Sequence, residues 1–252
     1  MASITPEVLG YVGSIPITNS IVNTLFVDAV IVGGVFFLKR NFQKIPRLFQ
    51  NIIELIIDTF YRFIESVSSK HVQKIFPFVM TFFLYILIAN WSGLIPGVTS
   101  IGFFHQGEHG RELIPIMRNA TSDLNVTFAL AIISLVTTHI FSIQSIGIKE
   151  YISRFVSFNP IYLFVGILEL ISEITKILSL SFRLFGNIFA GEVVLLTISS
   201  LLAFIAPIPF LLLEILVGLV QALVFSILTM AFMTMLMTPH HEEKQHAKEV
   251  NR

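Results

Sequence analysis

Cysteine is absent from this 252-residue chain, which excludes disulfides, iron–sulfur clusters and thiolate metal sites. Charge is scarce as well. Asp, Glu, Lys and Arg make up 13% of the residues, about half the share of a soluble domain. The 16 basic and 16 acidic residues cancel, leaving no basic surface that needs nucleic acid as a partner. No Lys or Arg precedes the first apolar run, near Ile21, so the basic opening of a signal peptide is missing and the run reads as a retained span. A glycine-rich phosphate loop of the P-loop pattern is also missing, so nucleotide hydrolysis is not carried here. Neither an internal repeat nor a low-complexity tract occurs. Long uncharged apolar runs dominate instead: 54% of residues are hydrophobic and the mean hydropathy is +0.83. That composition belongs to a polytopic membrane protein.

The expected fold is all-α: one membrane domain over 1–252, with about five crossing helices, an amphipathic surface helix and a long tilted C-terminal hairpin. The first span covers 20–38 and is closed by Lys39 and Arg40. Over 46–71, Leu48, Ile52, Ile56, Phe60, Phe63 and Val67 recur at helical spacing, with Arg47, Glu54, Asp58 and Arg62 on the other face. Such a helix lies on a membrane rather than crossing it. A second span runs over 75–95 and ends in "NWSGLIPG", where Pro96 and Gly97 stop it. Residues 98–120 read as a polar loop, and a third span covers 124–148. The remaining apolar sequence, 161–237, is broken at "APIP" from Ala206, giving a helical hairpin. Its first arm, if helical throughout, is about 60 Å long against a hydrocarbon core of about 30 Å. Tilt, bending or emergence from the hydrocarbon must absorb the excess.

Basic residues set the orientation. Lys39, Arg40, Lys44 and Arg47 follow the first span, Lys149 and Arg154 the third, and Lys244, Lys248 and Arg252 lie in the tail. Arg111 and Arg118, in the 98–120 loop, are offset by Glu108 and Glu112. The N-terminus is therefore expected outside and the C-terminus in the cytoplasm. The tail "HHEEKQH" has metal-ligand residue types but reads as a solvated end, so no metal is expected.

The stretch "SFRLFGNIFAGE" places Arg183 inside an apolar run, at a cost of roughly 2.5–3.5 kcal/mol for an arginine at a helix centre. Intramembrane ionisable groups are functional candidates because each must find a partner or water. The first arm carries Glu169, Glu173, Lys176, Arg183 and Glu192. At about 100° per residue, Glu169, Lys176, Arg183 and Asn187 fall within roughly 40° of one another, with Ser172 and Ser179 adjoining. On the second arm Glu214 and Gln221 share a face. Gly186 and Gly191 remove bulk, as close approach of another helix requires. The competing readings are that Arg183 snorkels to a headgroup, that Glu192 and Glu214 only pair helices, and that Asp123 and Asn125 only cap the third span.

"SLSFRLFGNIFAGE" with "EILVGLVQALVFSILTM" resembles subunit a of the F-type ATP synthase, the stator half of its proton channel. "NWSGLIPG" and "TSDLNVTFALA" are also similar to that family and occur in its order. The resemblance implies that Arg183 is the essential arginine and separates two half-channels. Asn187, Glu192, Glu214 and Gln221 correspond to polar residues of the proton path, to which Asp123 and Asn125 are assigned as well. Glu169, Ser172, Lys176 and Ser179 fall where the family lines its cytoplasmic access path. Some members carry histidine where this chain has Glu214.

The implied partners are a ring of c subunits, peripheral-stalk b subunits and the lipid bilayer of a bacterial plasma membrane or mitochondrial inner membrane. No cofactor is implied, and ATP would be made on other subunits. A turn near Ala206 sets Gln221 opposite Glu192, whereas the family implies a place near Arg183. Two other classes compete: a secondary transporter or channel that binds an anion at Arg183, disfavoured by the missing inverted repeat, and an assembly scaffold.

Overall fold

The computed structural model describes residues 6–44, 48–95, 97, 101–107, 110–155, 160–201 and 206–238. Pro46, Arg47, Pro96 and Glu108 lie outside the described residues, as does the tail with Lys244, Lys248 and Arg252.

Among the described residues seven α-helices carry the fold: α1 Asn19–Asn41, α2 Leu48–Val67, α3 Val72–Ser92, α4 Leu124–Ile146, α5 Ile148–Phe155, α6 Pro160–Leu201 and α7 Pro207–Met237. By length and composition, α1, α3, α4 and α7 can each cross a membrane. The chain is an all-α polytopic membrane protein. In α6 the apolar sequence is interrupted by the charged residues Glu169, Glu173, Lys176, Arg183 and Glu192.

Contacts fix the relative directions. Phe82 packs on Phe225 and Asn90 reaches the Gly218 carbonyl, so α3 and α7 are antiparallel. Thr127 meets Ser181 and His139 faces Glu173, so α4 and α6 are antiparallel. Ser134 meets Thr229 and Ser142 reaches the Leu236 carbonyl, so α4 and α7 run parallel. One end of the bundle thus gathers the start of α1, the end of α3 and the start of α4, together with the α6–α7 turn. This is the hairpin end. The other, basic end carries Lys39, Arg40, Lys149 and Arg154.

Packing follows membrane rules, because lipid tails give helices no hydrophobic reason to associate. The inner face of α4 is a ladder of small buried residues, Thr127, Ala131, Ser134, Thr138 and Ser142. Three of the hydroxyls bond to α6 or α7 at 3.1, 2.9 and 2.6 Å. Between them an apolar core forms around Phe83, Ile86, Leu184, Ile188 and Phe225. On α1 the buried residues are mostly polar and sit at the hairpin end. Ser20 donates to Asp123 at 2.6 Å, and Asn23 donates to Ser92 at 3.0 Å. The rest of α1 is open to lipid. α2 rests on the start of α3 through Ile64 and the Phe60–Phe83 ring contact at 4.6 Å. Leu48, Phe49, Ile52 and Phe63 stay exposed, as in a helix lying on a membrane surface.

Four boundaries differ from the sequence reading. α3 ends at Ser92, before Pro96, because Ser92 turns its hydroxyl to Ala89 and Asn23 while Gly93 lies tight against Asn119. Residues 98–120 contain a two-stranded antiparallel hairpin, β3 Gly102–Gly107 with β4 Gly110–Pro115, rather than only loop. A similar hairpin, β1 Val8–Val12 with β2 Ile15–Thr18, precedes α1 and turns at Gly13 with φ +66°. Backbone pairing of such short segments leaves no periodic signal. α4 stops at Ile146, where Gly147 adopts φ +84°, and α5 then packs so closely that a Cβ on Gly166 would strike the Phe155 backbone. Near "APIP", α6 has ended at Leu201 and Pro207 opens α7, where its missing N–H is harmless.

The cysteine-free chain permits a clean labelling test. Ser14→Cys and Phe103→Cys, both exposed at the hairpin end, should react from one side of the membrane. Ser69→Cys and Lys149→Cys should react from the other. Ser14 and Lys149 reacting from the same side would overturn the alternating arrangement.

Candidate functional site

On α6, Leu180, Leu184 and Ile188 recur at helical spacing and are 4%, 0% and 1% exposed. Their burial dictates the opposite face. Ser179, Arg183 and Asn187 are exposed on that face, while the Phe182 ring beside them meets Phe128 of α4 edge-on at 6.2 Å. The Arg183 guanidinium donates to the Ser179 hydroxyl at 3.2 Å, and no carboxylate among the described residues lies within 4.0 Å of it. A fixed positive charge therefore stands on an outward face, paired only with a neutral hydroxyl.

Asn187, one turn on, donates from Nδ2 to Gln221 Oε1 at 2.9 Å. Eleven residues earlier on α6, Lys176 lies 4.8 Å over the ring of Phe232, eleven residues later on α7. The two arms thus keep one antiparallel register. With α6 ending at Leu201 and α7 opening at Pro207, Gln221 meets Asn187 rather than Glu192. The Gln221 Nε2 is buried without a hydrogen-bond partner.

Towards the hairpin end lie two carboxylates. Glu192 pairs with Arg118 at 3.9 Å, and Arg118 also donates to Ser122 at 3.3 Å. Glu214 is 4% exposed and neither of its oxygens has a hydrogen-bond partner. It packs onto Gly191, where an added Cβ would lie 2.6 Å from Oε1. Gly186 differs: nothing in this chain lies within 4 Å of a Cβ there. Asp123 caps α4 by accepting from the Asn125 backbone N–H at 2.9 Å, and also accepts from the Asn125 side chain at 3.2 Å. Its other oxygen accepts from Ser20, which ties α1 to α4.

At the basic end the polar groups separate onto two faces. Ser172 and Ser179 are exposed on the outward side. Glu169 and Lys176 turn inward with Glu173. Glu169 pairs with Arg154 of α5 at 3.6 Å, and Arg154 also donates to the carbonyls of Leu236 and Thr238 where α7 ends. Lys176 pairs with Glu173 at 2.7 Å. Along α6, Glu173 and Glu192 are about 28 Å apart at 1.5 Å per residue, close to the hydrocarbon thickness, with Arg183 near the middle.

Sequence reasoning named Glu173 among the ionisable candidates without giving it a path role, and did not single out Arg118, Arg154 or His139 as site residues. Arg118 was discounted against its acidic sequence neighbours, although its partner is Glu192 on another helix. His139, alone in an apolar span, carried a usable signal as an intramembrane ionisable group. Among the described residues, no three His, Asp or Glu side chains are grouped as a metal site requires.

Residues 21–234 match the family described as ATP synthase A chain. The chain is 33% identical to ATP synthase subunit a of Moorella thermoacetica over 232 residues, 92% of this chain and 96% of that one. It is also 33% identical to ATP synthase subunit a of Legionella pneumophila, covering 88% and 87% of the two chains. With ATP synthase subunit a 2 of Pelobacter propionicus it shares 32% identity, over 90% of both.

The Gly191–Glu214 contact yields a sharp test. Gly191→Ala forces the buried carboxylate to turn, and proton uptake by vesicles carrying the assembled complex should slow several-fold. Gly33→Ala, on a helix face with nothing within 4 Å, should not alter it. Equal rates in the two variants would show that the placement of Glu214 is immaterial.

Proposed function

Because the chain belongs to the ATP synthase subunit a family and so serves the proton channel of an F-type ATP synthase, we propose that it carries two offset half-channels separated by Arg183. One observation carries this reading: Arg183 stands midway along the membrane arm, faces out of the bundle and has no carboxylate beside it among the described residues. The charge is placed for an acid supplied by another chain. Gly186, on the same face with open space around it, leaves room for that chain's helix.

The proposed partner is a ring of c subunits, each with one membrane carboxyl. Facing lipid, such a carboxyl stays protonated, because burial penalises the charged form. Beside Arg183 the guanidinium favours the carboxylate, so the proton leaves into one half-channel. Rotation then presents the carboxylate to the other half-channel, where it is reloaded. Arginine suits this role because it stays charged in a buried site, where a lysine can lose its proton. Its charge also repels a proton that would otherwise cross directly between the paths.

The outer path leads from the hairpin end past Asp123 and Asn125 to Glu192 and Glu214, then to Gln221 and Asn187. The inner path uses Glu169, Ser172, Lys176 and Ser179. The basic end faces the cytoplasm of a bacterial plasma membrane, with the N-terminus outside. α2 lies on the cytoplasmic surface, and its exposed apolar face meets lipid and the peripheral-stalk b subunits. Against an assembly scaffold stands the pairing pattern. Glu192, Glu169 and Glu173 each have a cation of this chain, whereas Arg183 has no acid among the described residues.

Arg183→Ala should leave the complex assembled and abolish proton-driven ATP synthesis in vesicles, with passive leak appearing as the barrier is removed. Arg183→Lys should be severely impaired too, since an ammonium lacks the forked donors. Glu192→Gln should slow transport without leak. Near-normal coupled synthesis in Arg183→Ala would refute the mechanism.

A further inference from the structure

Glu173 turns away from the face that carries Arg183. It is 6% exposed, while Ser172 beside it is open. Lys176 neutralises it through Oε1 at 2.7 Å, which by itself would complete an ion pair. Two further helices nevertheless bring titratable groups to it. Glu173 Oε2 is buried with no hydrogen-bond partner, and 3.7 Å from it stands His139 Nε2 of α4. The other imidazole nitrogen, Nδ1, is 2.9 Å from the Tyr151 hydroxyl of α5. His139 keeps 22% of its side chain exposed and lies in the half of α4 nearer the basic end. At its inner end Lys176 lies one turn before Ser179, the hydroxyl that accepts from Arg183.

We propose that His139 and Glu173 form a proton relay joining the basic-end surface to the Lys176–Ser179–Arg183 stripe. The inference deepens the proton-channel reading and rests on it. The stripe implied for the inner path runs along α6 alone, whereas this relay enters sideways from α4 and α5. In the starting state Tyr151 donates to Nδ1 of a neutral imidazole, whose Nε2–H faces the Glu173 carboxylate. Nδ1 takes a proton from water at the basic end, and the Nε2 proton passes to Glu173 Oε2. One proton enters the ring and one leaves it. The ring is left with its proton on Nδ1, now donating to the Tyr151 oxygen, and Glu173 is a neutral acid. The 3.7 Å separation exceeds a hydrogen bond and is closed by a small side-chain rotation or bridged by one water. Flow in the opposite direction reverses each transfer.

The titratable and charged groups around this string are Tyr151 and Arg154 on α5 with Glu169, Glu173 and Lys176 on α6. α7 contributes the Phe232 ring and its terminal carbonyls; its one ionisable residue, Glu214, lies towards the other end. His139 is thus the group of this cluster whose ordinary titration lies near neutrality.

The test uses the assembled complex in vesicles, with pH varied on the basic side alone while ATP synthesis and ATP-driven pumping are measured. Wild type should show a single-group inflection as pH on that side is varied, carried by the imidazole. His139→Gln should lose the inflection and slow by about tenfold, less than removal of a sole acid–base group, because Ser172 and Ser179 remain open. Tyr151→Phe removes one oxygen and should move the midpoint of the inflection. It decides the matter if His139→Gln does not assemble. Profiles of both variants that superimpose on wild type would overturn the relay. If Arg183→Ala abolishes coupling in that same case, the relay alone is wrong; if Arg183→Ala keeps coupling, the channel reading fails and the relay with it.

Discussion

Hydrocarbon offers a polar side chain no partner, so each polar group at membrane depth must find one on a neighbouring helix or from outside the chain. This constraint organises the whole bundle. The hydroxyl ladder of α4 is closed by α6 and α7, the polar start of α1 by Ser92 and Asp123, and the end of α7 by Arg154. The aliphatic stripe Leu180–Leu184–Ile188 then fixes how α6 is rotated. Once that stripe is buried, Arg183 has no choice of direction and faces outward. Its exposure is a consequence of packing on the far side of the same helix.

The unbroken length of α6 matters as much as its rotation. A kink anywhere between Glu173 and Glu192 would uncouple the inner and outer acids from the arginine between them. The antiparallel register with α7 provides the brace, through Asn187–Gln221 in the middle, Lys176 over Phe232 on one side and Gly191 against Glu214 on the other. Each contact joins a small or flexible group to a polar one. The arms can therefore lie close together without burying a second unpaired charge beside Arg183.

Much of this was legible in the sequence, and the reasons differ by element. Spans of some twenty apolar residues announce themselves, and the period of α2 separates its two faces. The polar stripe of α6 was visible because charges are conspicuous in an apolar run. The register between arms was not, since it depends on where a turn begins, and a proline can open a helix as readily as end one. The two β-hairpins were missed because backbone pairing between segments of six residues or fewer leaves no periodicity. Arg118 and Arg154 were read as loop charges. Their roles depend on partners 74 and 15 residues away in sequence, Glu192 and Glu169, which no local window contains.

Charge pairing on the α6–α7 hairpin leads one step further. Glu169, Glu173 and Glu192 have the cations Arg154, Lys176 and Arg118, and among the described residues the acid Glu214 and the base Arg183 have no opposite charge. These two do not neutralise each other. Glu214 lies against Gly191, about 12 Å along α6 from Arg183 at 1.5 Å per residue. Were they in contact, the guanidinium would be satisfied within the chain and a rotor carboxyl would gain little by ionising beside it. In the proposed mechanism, holding them apart lets the acid exchange a proton without disturbing the arginine, which keeps its full charge for a partner. On that reading the separation lets one helix pair both deliver protons and withhold them from a direct crossing.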